Sequence, residues 1–427
     1  MNQTTPKKRI NKKISVFLAI IFIIASFFCG FLLRGVFYGR DRRALNEAVF
    51  YLKEYGVFDT KTLELKNLTE QELAKILVDS LSDDYAKYYN PEEYKKIKQN
   101  AKGNYQGVGL GFKDGLVVKK VQYNSPAHHA GILVDDRIIS ATFEEKTTEI
   151  NSLADFNDYI NKRKSTDVFV LSLIRNGSIL RVNVSAKSYE ATYVSYMDSE
   201  REMYFLTNEK GETGRSIKQK ANPDIPSDVG YIKFTSFEGN AFRELEDALE
   251  FFKECGKSKL IFDLRDNGGG YMRILSDVAS LFISNSGKST FPIAYELDND
   301  GEYEVTKSSS NKYFENIKAV SVIANENTAS ASECLIGAML YYKDRFSIDS
   351  LIIENQDYQN TARTYGKGIM QTTYPLSNGG AIKLTTAVVY QPDKTTCIHG
   401  TGILATEQNS CKKADNVAIK KAIQSLN

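Results

Sequence analysis

At 427 residues the chain exceeds the roughly 250 to 300 that one hydrophobic core serves, so two or three domains are expected. Its 55 basic and 53 acidic side chains leave a formal net charge of +2, which supplies no broad field for a polyanion and argues against nucleic acid as a partner. Mixed clusters such as Arg243, Glu244, Glu246 and Asp247 read as a solvated helix face.

A basic lead, residues 1–13 with Lys7, Lys8, Arg9, Lys12 and Lys13, precedes an apolar segment at 14–34 that is uncharged from Ile14 to Leu33. That is about the 20 residues a helix needs to cross a bilayer. A cleaved signal peptide has a shorter apolar centre and a small-residue exit site, and neither is evident, so the segment reads as an uncleaved transmembrane signal anchor. Arg34, Arg40, Arg42 and Arg43 follow it, bringing the positive-inside count near a tie. The basic-then-apolar order of export signals places the rest of the chain outside the cytoplasm, as a single-pass protein of the cell membrane.

Residues 40–102 read as a helical region, with Leu45, Val49 and Leu52 and then Leu73, Ile76, Leu77 and Leu81 at helical intervals. Within it Asn90 can cap, and Pro91 can open, a further helix. From 103 to 188 the pattern changes to short apolar strands: Gly107-Val108-Gly109-Leu110, Leu116 to Val118, Asp136 to Ile139 and Val168 to Leu171, with one helix near Leu153 to Arg163. Asn176-Gly177 marks a tight hairpin. Together with Ser125-Pro126-Ala127 and Ala130-Gly131, this order resembles a PDZ domain. The resemblance implies an added-strand groove in which Gly107, Val108, Gly109 and Leu110 form the loop that receives a terminal carboxylate.

The remainder, 189–427, begins with a polar hairpin and loop and then alternates strands with helices: Val229 to Phe237, Ala241 to Glu254, Lys259 to Leu264, Met272 to Ile283, and Ala319 to Ala324 before another helix. Such alternation predicts an α/β layer with helices over apolar strands.

Three segments of it carry residues suited to chemistry. Asp263-Leu264-Arg265-Asp266-Asn267-Gly268-Gly269-Gly270 follows a strand, and successive glycines free backbone amides to face a ligand. Asn327-Thr328-Ala329-Ser330-Ala331-Ser332-Glu333 opens an apolar-faced helix, where a serine can project beside free amides. Tyr365-Gly366-Lys367-Gly368-Ile369-Met370-Gln371 sets a lysine between glycines. A lysine acts as a base only when neutral, and lowering its pKa from about 10.4 to near 7 costs about 4 to 5 kcal/mol, which burial can supply.

The three segments in this order resemble the carboxy-terminal processing peptidases, or tail-specific proteases, from about Ser80 to Gly402. The resemblance implies an α/β multidomain fold: a crotonase-like α/β protease core with an inserted PDZ-like domain, a helical N-terminal region and one transmembrane helix. It implies a serine endopeptidase in which Ser330 is the nucleophile, Lys367 takes its proton and Gln371 orients the lysine. The amide of Ala331 and one from Gly269 or Gly270 would form the oxyanion hole, with Arg137 a regulatory contact from the PDZ-like part to the core. Substrates would be proteins or peptides with apolar C-terminal tails.

Three features depart from the family pattern. Gly268 stands where proline is usual, about a dozen residues around Phe346 to Thr361 look inserted, and Ala405-Thr406 replaces a common Pro-Asp pair. His128, His129 and His399 lack the setting of a triad base. Cys397 and Cys411 are placed either for a disulfide or to remain free thiols, no spacing suggests a zinc site, and no cofactor is implied. A homo-oligomer is left open. The competing reading is a catalytically silent PDZ-bearing binding or regulatory protein on the same fold. A crotonase-like acyl-thioester enzyme would explain neither the PDZ-like part nor the serine and lysine pair.

Overall fold

The structure is a computed structural model that describes residues 70–199, 202–207, 213–219, 225–283, 290–309, 314–343, 348–356, 361–414 and 416–426. The basic lead, the anchor at 14–34 and the first part of the 40–102 region lie outside the described residues. No helix among the described residues is long and apolar enough to cross a membrane. The chain divides into two units, 1–80 and 81–427. In the first, the described element is the helix Glu70–Asp79. All that follows belongs to the second.

The core is an eight-stranded sheet. Val229–Phe234, Lys259–Asp263, Ala319–Asn325, Ile348–Asn355 and Ser410–Lys412 run parallel in that spatial order. Val194–Met197 and the hairpin of Glu202–Thr207 with Thr213–Gln219 extend it antiparallel beyond Val229–Phe234. The central strands Lys259–Asp263 and Ala319–Asn325 are buried nearly throughout because both faces are covered. On one face lie helices Ala241–Glu254, Met272–Phe282 and Ala331–Tyr341, and their cluster includes Leu245, Leu249, Phe252, Val278 and Leu335. Buried positions 241, 245, 248, 249 and 252 of the first helix recur at helical spacing, one stripe facing the sheet. Helix Val417–Ser425 covers the other face through Ala418, Ile419 and Ala422.

Glu244 departs from the expected solvated face: it is buried, and its Oε2 accepts from the N–H groups of Tyr193 (2.7 Å) and Val194 (3.0 Å). Ile348–Asn355 shows what the apparent insertion forms. Much of it is a strand of the central sheet, with Leu351, Ile352 and Ile353 buried.

A second sheet contains Lys87–Tyr89, Pro292–Leu297, Tyr303–Lys307, Ile369–Pro375 and Ala381–Tyr390. The helical reading of 40–102 holds at Glu70–Asp79 and Pro91–Asn100 but is corrected between them, since Lys87–Tyr89 is a strand paired with residues 381–383, more than 290 positions away. Residues ahead of the PDZ-like part therefore complete a sheet with the C-terminal part of the chain. The next helix, Pro91–Asn100, starts as its cap residues dictate: Asn90 Oδ1 accepts from the N–H groups of Glu92 and Glu93, and Glu93 Oε2 accepts from Asn90 N–H.

The PDZ-like part is a six-stranded sheet, with Leu110–Lys113, Val117–Val121, Arg137–Phe143, Phe169–Arg175 and Ser178–Val184 in spatial order and Lys146–Glu149 beside Arg137–Phe143. Val118, Ile138, Phe156, Phe169, Leu171 and Leu173 form a core of its own. Asn176 and Gly177 both take positive φ, as the tight turn between its last strands requires. Its entry and exit pair as a ribbon, Asn104–Gly107 with Lys187–Glu190.

Candidate active site

The serine and the glycine-rich loop leave the carboxyl ends of adjacent parallel strands, Ala319–Asn325 and Lys259–Asp263, where α/β sheets place their ligands. Ser330 is partly exposed at φ 58°, ψ −121°, outside the regions a non-glycine residue prefers, at a cost of about 1 to 3 kcal/mol. The surrounding bonds hold it there. Thr328 Oγ1 donates to Leu264 O at 2.9 Å, Ala329 N–H to Asn267 O at 3.0 Å, and Ser330 N–H to Glu333 Oε2 at 2.9 Å. Ser332, the neighbour most easily confused with it, is fully buried and donates to Asn267 O, so its hydroxyl is not available for attack.

Gly269 packs against this junction: a Cβ on it would lie 2.8 Å from Ala331 N and from Ser330 Cβ, and its φ of 97° also excludes other residues. Its N–H is committed to Asn267 Oδ1 at 2.9 Å, and its C=O accepts from Phe237 N–H. Gly270 N–H and Ala331 N–H have no partner among the described residues. Of the two glycine amides considered for an oxyanion hole, Gly270 is thus the free one. Gly268, in place of proline, needs no positive φ and has nothing within 4 Å of its Cβ position, so the departure leaves the loop intact.

Beneath the loop lies an ionic network. The buried Asp263 accepts from Tyr231 Oη at 2.5 Å, Lys233 Nζ at 3.1 Å and the Arg265 guanidinium, which also reaches Glu354 Oε1 at 3.1 Å. Burial alone would raise the Asp263 carboxyl, but Lys233 and Arg265 beside it hold it well below the usual carboxylate range.

The lysine segment is bound to the serine helix by one side chain. Glu333, fully buried, accepts on Oε1 from Thr364 Oγ1 (2.5 Å) and Gly366 N–H (2.7 Å), and on Oε2 from Lys367 N–H (2.9 Å) as well as Ser330 N–H. Gly366, at φ 91°, lies so close to residues 401 and 402 that a Cβ would come within 2.8 Å of Gly402 N. Lys367 is half-buried, and burial, followed by the charge of Lys383, lowers its pKa. Its amine lies 4.7 Å from the centroid of the Tyr85 ring, and no hydrogen bond joins it to Ser330 among the described residues. Gln371 Nε2 is 3.5 Å from Thr385 Oγ1, in the neighbouring strand, rather than bonded to the lysine.

In the PDZ-like part, Gly107 ends the ribbon, Val108 is buried with its C=O accepting from Ala127 N–H, and Gly109 C=O accepts from Gln122 N–H. Leu110 opens the edge strand Leu110–Lys113, which has a neighbour on one side only. Arg137 is exposed and makes no hydrogen bond or ion pair to the core among the described residues. The buried carboxylate beside it, Asp136, is bound by Arg175 instead.

Residues 228–349 and 354–408 match the model of peptidase family S41, and residues 94–186 match that of a PDZ domain. The α/β part of the chain is thus similar to peptidase family S41. It is 26% identical over 330 residues to a CtpA-like serine protease of Staphylococcus aureus strain N315, covering 77% of this chain and 57% of that protein. With the protein of that name from strain MRSA252 it shares 25% over 416 residues, 94% of this chain and 74% of that one. The chain therefore spans little more than half the length of the first of these relatives. The solved photosystem II D1 C-terminal processing protease has a TM-score of 0.50 at 20% identity, over 83% of this chain and 85% of that one, a likeness of fold.

Sequence reasoning missed Glu333 as the tie between serine and lysine, Asn267 as the pin of the glycine loop, and Tyr85 as the lysine's neighbour. The Ser-x-x-Glu spacing of Ser330 and Glu333 signals a helix cap. Its reach to residues 364–367 has no local signature. Cys397 and Cys411 are free thiols, which resolves the alternatives left for them. Among the described residues no group of three or more His, Cys, Asp or Glu is placed to hold a metal ion.

Proposed function

We propose that this chain is a membrane-anchored serine endopeptidase of the S41 kind that processes proteins near their C-terminal tails, working through a Ser330 and Lys367 dyad on a crotonase-like core. The observation that carries the reading is the shared Glu333 carboxylate, which binds the backbone of Ser330 and of Gly366-Lys367 at once. Nucleophile and base then sit on either side of one fixed group. Lys367 is also lowered in the direction a base requires.

A substrate tail would add as a strand along Leu110–Lys113, with its carboxylate at the Gly107–Leu110 loop. At the scissile bond, Ser330 Oγ attacks the carbonyl carbon while neutral Lys367 accepts the hydroxyl proton. The oxyanion accepts from Ala331 N–H at the helix start and from Gly270 N–H. On collapse the C–N bond breaks, and Lys367 returns the proton to the leaving amine. Water, deprotonated by Lys367, then releases the acyl group from Ser330. Residues 14–34 would anchor the enzyme, with the catalytic part on the extracytoplasmic side of the cell membrane.

The test is cleavage of peptides with apolar carboxy termini by Ser330→Ala and Lys367→Ala proteins whose circular dichroism matches the parent. Both are expected to lose turnover entirely. Full turnover in either overturns the dyad. Tail binding without any cleavage by the parent protein would instead identify a silent PDZ-bearing binder.

A further inference from the structure

The strand Ala381–Tyr390 pairs along one side with Ile369–Pro375, which follows the lysine segment. Along its other side Lys87–Tyr89 pairs with residues 381–383 and Pro292–Leu297 with residues 388–390, leaving a gap around Thr385. A side chain fills it. Asp83 accepts from Thr385 N–H at 2.9 Å on Oδ2 and from Thr385 Oγ1 at 3.0 Å on Oδ1. The same carboxylate accepts from Tyr85 N–H at 2.9 Å, and Asp83 C=O accepts from Ala86 N–H at 3.0 Å, closing a tight turn. One aspartate thus fixes the Tyr85 backbone relative to the strand opposite Gln371, whose amide faces the same Thr385 hydroxyl. The product of this geometry is the Tyr85 ring under the Lys367 amine, at 4.7 Å. Neither Asp83 nor Tyr85 lies in the regions matched to the S41 or PDZ models.

We propose that Tyr85, set in place by Asp83, is a positioning residue for Lys367, its ring face holding the amine as a cation in the resting enzyme and so opposing its delivery to Ser330. The inference rests on the reading of Lys367 as the base. An aromatic face attracts a cation and not a neutral amine, so the ring supports the charged form, against burial and Lys383, which favour the neutral one. The charged and titratable groups around the pair are Lys383 from the neighbouring strand, Asp83 and Asp84 from the turn, Tyr365 from the lysine's own segment, and Glu333 from the serine helix, bound to the Lys367 N–H. A base is recruited when the amine leaves the ring.

The experiment is the rate at which a fluorophosphonate probe labels Ser330, measured against pH in the full chain. Replacing the ring with an aliphatic side chain withdraws support from the cation while leaving the site covered. In Tyr85→Leu the acidic limb of labelling is expected to move down by about 0.5 to 1 pH unit. Tyr85→Phe retains the ring face and should keep the parent limb. Tyr85→Met serves if the leucine protein fails to fold. A limb that stays in place in the aliphatic variants, or rises, overturns the inference even if the rate falls, because loose packing alone lowers the rate without moving the limb. Failure of the underlying reading looks different: Lys367→Ala would then label as fast as the parent, whatever Tyr85 does.

Discussion

Beside Asp263, which Arg265 binds much as Arg175 binds Asp136 in the PDZ domain, the α/β core holds two buried carboxylates with no counterpart there among the described residues. In the core, Glu333 accepts from residues 330, 364, 366 and 367, and Glu244 on one helix accepts from Tyr193 and Val194 just after the PDZ domain's exit strand. Each joins segments distant in sequence through their backbone. In the PDZ domain the buried Asp136 is bound by Arg175 and by Leu133 N–H, all within the domain, and its strands are held by sheet pairing and an apolar cluster. A carboxylate that accepts backbone N–H groups fixes positions to a fraction of an ångström. Apolar packing fixes a surface and leaves its relation to the rest of the molecule to a ribbon and a few side chains. The candidate catalytic groups are built on the first kind of support and the proposed peptide groove on the second.

The comparison breaks first at Glu333. Glu333→Ala removes the acceptor from three backbone N–H groups and one hydroxyl, and a buried donor left unpaired costs about 1 to 3 kcal/mol. Urea unfolding is expected to show a loss of about 4 kcal/mol or more, with cleavage abolished. A loss below about 1 kcal/mol would mean the carboxylate does not organise the site.

Glu244 sharpens the comparison through pH. Burial pushes its carboxyl up to about 8 from an ordinary 4.5. The folded protein then keeps a proton that the unfolded chain releases, so the stabilisation is whole below about pH 4.5 and declines as pH rises toward 8. Glu244→Gln keeps an acceptor for Tyr193 and Val194 without titrating. It should flatten the fall in unfolding free energy between pH 5 and 8, a gain of about 2 to 4 kcal/mol over the parent at the upper end. Parallel stability curves for the two proteins would count against a buried, protonated Glu244.

The smallest effect is expected at Arg137. It is exposed and free of polar contacts to the core, so Arg137→Ala should change unfolding free energy by about 0.5 kcal/mol or less and leave peptide cleavage as it was. An altered cleavage rate would restore it as a messenger between the domains.

Local pattern determined much of the architecture. The stripe of Leu245, Leu249 and Phe252, the Asn90 cap, the Asn176-Gly177 turn and the glycines around residue 269 each express a short-range constraint, and the elements formed where those constraints fall. Order along the chain was enough to bring forward Ser330 and Lys367. Only the tertiary structure decided which glycine amide is free, that Glu333 joins residues 330 and 367, that residues 87–89 complete a sheet with residues 381–383, and that Tyr85 lies under the lysine. Backbone conformation is governed by neighbours within a few positions, whereas, the Asn267 bond to Gly269 aside, these contacts join residues 30 to 300 apart, and nothing in either partner's surroundings specifies the other until the sheet has assembled.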